Sequence, residues 1–277
     1  MGLRIATNIA SQNVQKNLKE VSSAGNSQLE KLSSGKRITK ASDDAAGLAI
    51  ATNLEAQTKG LRQASRNAND GVSLVQTAEG GLNETSNILI RLRELTIQAA
   101  SDTVGDQERG FLDKEYQQLS KEIDRISEST VFNGTQLLNG KGKGAMDFQV
   151  GAFSGEQNRI TFDSSESDSS ASSIGIASTN IANKDDALSS IGSIDKAIEK
   201  VSGQRANLGS IQSRLQSTIK NLEVQTINQD SARSVIQDVD VAEATAALSS
   251  NQVVKNAAVS TLAQANGIPN SALRLIG

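Results

Sequence analysis

Apolar residues recur along this chain in steps of three and four. Val75, Ala78, Leu82, Thr85, Leu89, Leu92, Thr96 and Ala99 alternate the two steps strictly. On a helix such residues form one narrow stripe, the seam of a bundle or coiled coil. The same rhythm runs upstream through Ile50, Leu54, Gln57, Leu61, Ala64 and Ala68. Together the two stretches predict one helix of about 55 residues, about 80 Å long at 1.5 Å per residue. Gly60, Gly71, Gly80 and Gly81 interrupt the pattern. An interior glycine costs about 1 kcal/mol relative to alanine, so close approach of packed neighbours at these positions is expected as compensation.

A second helix carries Leu112, Tyr116, Leu119, Ile123 and Ile126 in the same rhythm. A third, over roughly 184–233, carries Ile191, Ile194, Ile198, Val201, Leu208, Ile211, Leu215, Ile219 and Leu222. Val14, Leu18, Val21, Leu29 and Leu32 mark an N-terminal helix, and the stretch from about 239 to 266 marks a C-terminal one. In that last segment the apolar residues are small and spread over several faces, which predicts packing on several sides. Pro269 follows Gly267 at its end, where the helix is expected to stop. The central stripes therefore read as an intramolecular bundle. The terminal helices, with Val14, Leu18, Val21 and Leu29 at one end and Leu248, Val254, Val259 and Leu262 at the other, read as surfaces for neighbouring copies.

Between the helical regions the pattern changes. Met146 to Val150 and Arg159 to Phe162 alternate apolar and polar residues, predicting a β-hairpin over about 145–163 joined by the loop 151–158. Two Asn-Gly dipeptides, at 133–134 and 139–140, precede it. The serine-rich stretch 164–173 predicts an exposed polar loop.

Composition narrows the function. Hydrophobic residues make up 36% of the 277 residues and aromatics only 2%, with a single Tyr and no Trp. This inventory suits slim helix–helix seams better than a broad core built on rings. The net charge of -3 offers no basic field for nucleic acid. No stretch of 18 apolar residues is present to span a membrane. Cysteine is absent, which excludes disulfides, thiolate catalysis and zinc–thiolate sites. Histidine is absent too, removing catalytic triads, HExxH metal sites and imidazole acid–base chemistry. The carboxylate pairs Asp43/Asp44 and Asp185/Asp186 stand at helix starts and read as capping and first-turn acids rather than as an acid–base pair. The Gly-Lys run at 140–144 precedes a strand, not a helix, and reads as a turn rather than a phosphate cradle. No catalytic, cofactor or metal-binding residue is predicted. The N-terminus lacks the apolar core and cleavage site of a secretory signal.

Several blocks carry a family resemblance. Leu32 to Ile38 (LSSGKRI) and Ala41 to Ile50 (ASDDAAGLAI) resemble the N-terminal region of bacterial flagellins. So do Arg91 to Ala99 (RLRELTIQA), Glu122 to Ser127 (EIDRIS) and Phe132-Asn133-Gly134. Ala263 to Asn266 followed by Leu273 to Gly277 resembles the flagellin C-terminus. The resemblance covers about 1–165 and 185–277. Lys36 departs from it, since a large apolar residue is common there.

The resemblance implies a mainly α fold: a discontinuous terminal coiled coil and an elongated helical rod bearing the hairpin, without outer variable domains. The inner coiled coil would comprise 1–44 and 234–277, and the rod 45–175 and 176–233. The rod seam would hold Val75, Leu82, Leu89, Leu92, Leu119, Ile123, Leu208 and Leu215. The implied function is polymerisation into the hollow flagellar filament, after export through the flagellar type III channel without a cleaved signal. Implied partners are further copies of the chain, an export chaperone on the C-terminal helix, and the filament cap and hook-associated proteins. Arg91, Leu95 and Glu115 match positions through which flagellins contact a vertebrate Toll-like receptor, and which also serve subunit packing. A flagellar hook-associated or junction protein is the alternative, since it shares the terminal coiled coils. An enzyme carried on the same scaffold would need histidines that this chain lacks.

Overall fold

A computed structural model describes the backbone of residues 7–276 and the side chains of residues 7–267. Among these residues the fold is mainly α. The helices are α1 (Ile9–Ser34), α2 (Ala45–Ala100), α3 (Asp106–Ser129), α4 (Ala171–Ile174), α5 (Lys184–Gln237) and α6 (Val241–Ile276). Two antiparallel two-stranded sheets pair β1 (Val131–Phe132) with β2 (Thr135–Gln136) and β3 (Ala145–Gln149) with β4 (Arg159–Asp163). The chain divides into two compact units, 1–56 with 228–277, and 57–227. The division falls inside α2 and α5.

In the first unit α1 and α6 pack antiparallel. Asn8 caps α1, its side-chain oxygen accepting from the Ser11 N–H at 3.0 Å. Gly35, at φ 69°, ends the helix in the left-handed conformation that a side chain would resist. Beyond it the backbone pairs with the α5–α6 junction: Arg37 N–H donates to Gln237 O at 2.7 Å and Val239 N–H to Gly35 O at 3.1 Å. The Arg37 guanidinium adds a bond to Ile236 O at 2.6 Å. Asp43 and Asp44 then do separate jobs. Asp43 accepts from the Thr39 and Lys40 N–H groups and the Thr39 hydroxyl, which holds its carboxyl below the usual range. Asp44 alone caps α2, accepting from Gly47 N–H at 2.8 Å.

The C-terminal helix does not stop at Gly267. It runs through Pro269 to Ile276. A proline removes one i→i−4 bond, here the one to Ala265 O, and that oxygen accepts from the Asn8 side chain instead.

In the second unit, residues of α2, α3 and α5 surround one core. Val75, Leu82, Leu89, Leu92, Ile123, Leu208 and Leu215 are all buried in it, and Leu119 packs half-buried against it. All eight positions of the stripe from Val75 to Ala99 are buried. Upstream the stripe shifts. Ile50 is exposed and Gln57 half-buried, whereas their neighbours Ala51 and Thr58 are buried. The straight helix drifts from a strict 3.5-residue repeat, so a stripe extrapolated over several turns slips by one position.

Three of the four interior glycines, Gly60, Gly71 and Gly81, mark close approach, mostly by non-helical segments, whereas Gly80 faces open space. A Cβ at Gly71 would lie 3.2 Å from the Phe148 ring and 3.3 Å from Leu215, and one at Gly60 would lie 3.3 Å from Ala152. At Gly81 it would meet Leu138 and Thr130. The hairpin thus lies against α2, and Asn67 ties it there by donating to Gln149 O at 3.0 Å. Its register pairs Met146 with Phe162 and Phe148 with Ile160.

The serine-rich stretch is not an exposed loop. Ser164, Ser167 and Ser169 are buried. Ser164 donates to Gly144 O and Ser169 N–H to Leu138 O, while Gln204 of α5 donates to the Glu166 and Asp168 carbonyls. A small hydroxyl can be buried when a backbone carbonyl accepts its proton, and composition alone does not reveal that.

Tyr116 is fully buried on α3, and burial pushes its hydroxyl pKa up. Thr179 spends its proton on Ile176 O, so Tyr116 is the donor in the Tyr116–Thr179 bond. Tyr116→Phe is expected to destabilise the unit by about 1 kcal/mol, the worth of one such bond. Urea unfolding at constant m-value measures it.

Candidate functional site

The candidate residues are surfaces and seams rather than a reaction centre. Among the described residues no cluster of three or more carboxylates could hold a metal ion. No described helix is long and apolar enough to cross a membrane.

The terminal residues fall into two sets. Val14, Leu18, Val21, Leu248 and Leu262 are half-buried in the first unit. Leu29, Val254 and Val259 are exposed, at 57%, 46% and 50%. Val241 and Val253 add to the exposed apolar surface of α6. Sequence spacing had not separated the sets, because small residues on several faces do not reveal which face the partner helix takes. Gly25, Leu29, Leu248 and Lys255 also line a cleft of about 120 Å³ between α1 and α6, so the pair is not sealed along its length.

The three positions that the resemblance assigns to receptor contact are split by the structure. Arg91 and Glu115 come together on the surface, with Arg91 Nη2 2.9 Å from Glu115 and Nη1 3.0 Å from Glu94. The hydrogen bond to Glu115 is the main cause that raises the Arg91 pKa. Leu95, however, is buried in the core at 1% exposure and presents nothing to a partner. It follows Arg91 by four residues but falls in step with the buried stripe, next to Leu92 and Thr96.

Further ion pairs tie the helices of the second unit. Arg93 of α2 meets Asp195 of α5 at 2.7 Å, and Lys184 meets Asp102 at 2.7 Å. Arg109 was missed by the sequence reading. It is 7% exposed and donates to Ala99 O at 2.8 Å, to Ser101 O at 3.0 Å and to Asp106 at 2.8 Å. It thereby satisfies carbonyls that the end of α2 would otherwise leave open. Its only sequence signal was a cation in the first turn after a short polar connection.

Two family models match this framework. Residues 5–143 match the bacterial flagellin N-terminal helical region, and residues 191–276 the C-terminal helical region. The chain belongs to the bacterial flagellin family. It is 42% identical to a flagellin of Halalkalibacterium halodurans over 97% of this chain and 98% of that one. It is 38% identical to a flagellin of Bacillus subtilis over 99% and 100%. A flagellar filament core protein of Brachyspira hyodysenteriae, flaB2, is 36% identical over 98% and 99%. Near-complete coverage on both sides fits a flagellin reduced to its core. The crystal structure of Bacillus cereus flagellin matches with TM-score 0.51 at 34% identity, covering 57% of this chain and 88% of that one. A flagellar hook-associated protein of Vibrio parahaemolyticus shares the fold at TM-score 0.58 and 17% identity, over 70% of this chain and 99% of that one. At that identity the match speaks for the fold alone, so the hook-associated reading is not favoured. Flagellins are structural filament proteins, not enzymes.

Proposed function

We infer that this flagellin is a structural subunit that polymerises into the hollow helical filament of the bacterial flagellum, outside the cell. The observation that carries the reading is the uncovered apolar surface of α6. Val241, Val253, Val254 and Val259 are exposed on a helix that packs chiefly against α1. Val224, Ile227 and Val235 of α5 are exposed as well. Exposed apolar surface of this kind marks an interaction surface, and in a homopolymer the partner is another copy. Seeded growth followed by negative-stain electron microscopy tests it. Long uniform filaments are expected. Short stubs or no growth would favour a junction protein instead.

Other partners follow from the same surfaces. Before assembly the α6 surface suits an export chaperone, which would keep these valines from associating in the cell. Export through the flagellar type III channel without a cleaved signal is consistent with a chain that lacks cysteine. Cap and hook-associated proteins would meet the subunit at the two filament ends. Recognition by a vertebrate Toll-like receptor would use the surface pair Arg91 and Glu115, without Leu95. Arg91→Ala is expected to lower the response of a receptor reporter cell line to purified monomer at least about ten-fold, if that contact is worth the roughly 1.4 kcal/mol of a tenfold affinity change. Stability should change by less than about 1 kcal/mol, as is usual for exposed ion pairs. An unchanged response, or a silent wild type, would remove the receptor from the list of partners.

A further inference from the structure

We propose that Asn8 and Pro269 form a compensated pair that sets the register of α1 against α6. In an α-helix each N–H donates to the carbonyl four residues earlier. Pro269 has no N–H, and α6 runs through it unbroken. The carbonyl of Ala265 therefore has no donor within its own helix. Ala265 is only 5% exposed, so water is a poor substitute. The Asn8 carboxamide fills the vacancy, its Nδ2 donating to Ala265 O at 2.8 Å. The other half of the same carboxamide caps α1, Oδ1 accepting from Ser11 N–H at 3.0 Å. Each end of the amide meets the only group it can serve, a donor to a carbonyl and an acceptor to an N–H.

A second strut lies beside the first. Ser11, itself buried, donates through Oγ to Asn266 Oδ1 at 2.8 Å, and Gln15 donates to Ser11 Oγ at 3.3 Å. The N-cap of α1 and a residue of its first turn are thus bonded to adjacent residues of α6. The remainder of this pair is lined by small or half-buried residues, which discriminate poorly between neighbouring registers. A polar group inside a helix pair is the usual device that selects one register. Pro269 is the single proline in the chain, so it makes this vacancy at one position only. Sliding α6 by one residue would turn it by about 100° and part the Asn8 Nδ2 from the Ala265 carbonyl. It would also turn Val254 and Val259 away from the faces they present to neighbouring copies.

The proposal rests on the filament reading, and the experiment separates the two. Seeded growth of the full-length chain gives a critical concentration for the wild type, Asn8→Asp, Pro269→Ala and the double variant. An aspartate keeps the cap on α1 but has no N–H to offer Ala265. Asn8→Asp is expected to raise the critical concentration at least about ten-fold, since an unpaired buried carbonyl weakens a structure by that order. Pro269→Ala alone is expected to grow like the wild type. In the double variant the alanine backbone at position 269 supplies the missing N–H within α6, and most of the loss should be regained. If Asn8→Asp grows like the wild type, Asn8 is merely a cap and the proposal fails. An additive double variant, or a failure of Pro269→Ala by itself, would overturn it as well. A wild type that grows no filament would instead sink the function proposed above.

Discussion

Removal of residues 239–277 is expected to leave a folded chain that forms no filaments. The second unit, 57–227, holds its own continuous core from Ala68 through Leu215, drawn from α2, α3, α5 and the hairpin. None of those core residues lies beyond 238, so a cooperative thermal transition should survive the truncation. What disappears is α6, the partner of α1 and the bearer of Val241, Val253, Val254 and Val259. α1 would then lose the helix against which Val14, Leu18 and Val21 are half-buried. Most of the stability of a helix in a protein comes from packing of its apolar face, so α1, 26 residues long, should lose helix with its partner. Circular dichroism should show less helix than deletion of α6 alone accounts for, while electron microscopy of seeded samples shows no growth. Filaments from the truncated chain would refute the assignment of polymerisation to the terminal helices.

Arg109→Ala is expected to destabilise the second unit by about 3 kcal/mol. Hydrogen bonds to charged groups contribute roughly 1.5–3 kcal/mol, and carbonyls left unpaired cost about 1–3 kcal/mol each. Arg109 makes two bonds to carbonyls at the end of α2 and one to Asp106. Asp106 is exposed and regains water on truncation, so its bond should matter least. The Ala99 carbonyl lies at a fully buried residue and has no such recourse. For a unit of this size the melting temperature should fall by roughly 6–12 °C. Arg109→Lys should recover little, because an ammonium cannot fork between two carbonyls as a planar guanidinium does. A melting temperature within about 2 °C of the wild type, less than a single kcal/mol would produce, would show that the α2–α3 corner is held by packing alone.

The contrast between these two predictions shows what could be read from the chain. Helix existence was legible because burial on one stripe imposes a period, and the period from Val75 to Ala99 held at every position. The β3–β4 hairpin was legible for the same reason, at period two. The β1–β2 turn was overlooked, although Asn133 and Gly134, both at positive φ, supply the two-residue turn such hairpins favour. Arg109 and the buried serines were not legible. Their burial depends on a carbonyl at a distant place in the chain, and nothing local announces it. The surface pair of Arg91 and Glu115 was found through the resemblance, which also carried Leu95 along. Only packing told the surface residues from the buried one.

For this flagellin the long helices, the family and the absence of histidine and cysteine chemistry were legible in the chain alone. These follow from local periodicity, from ordered motif blocks and from composition, none of which needs a partner in space. The tertiary structure alone decided where Ile50 and Gln57 give way to Ala51 and Thr58, and why a helix passes through Pro269. It also decided which terminal valines stay exposed. Each of these depends on which groups meet across long separations in the chain. The Asn8 bond to Ala265, spanning 257 residues, is the plainest case: its two ends satisfy one another, and neither end is intelligible alone.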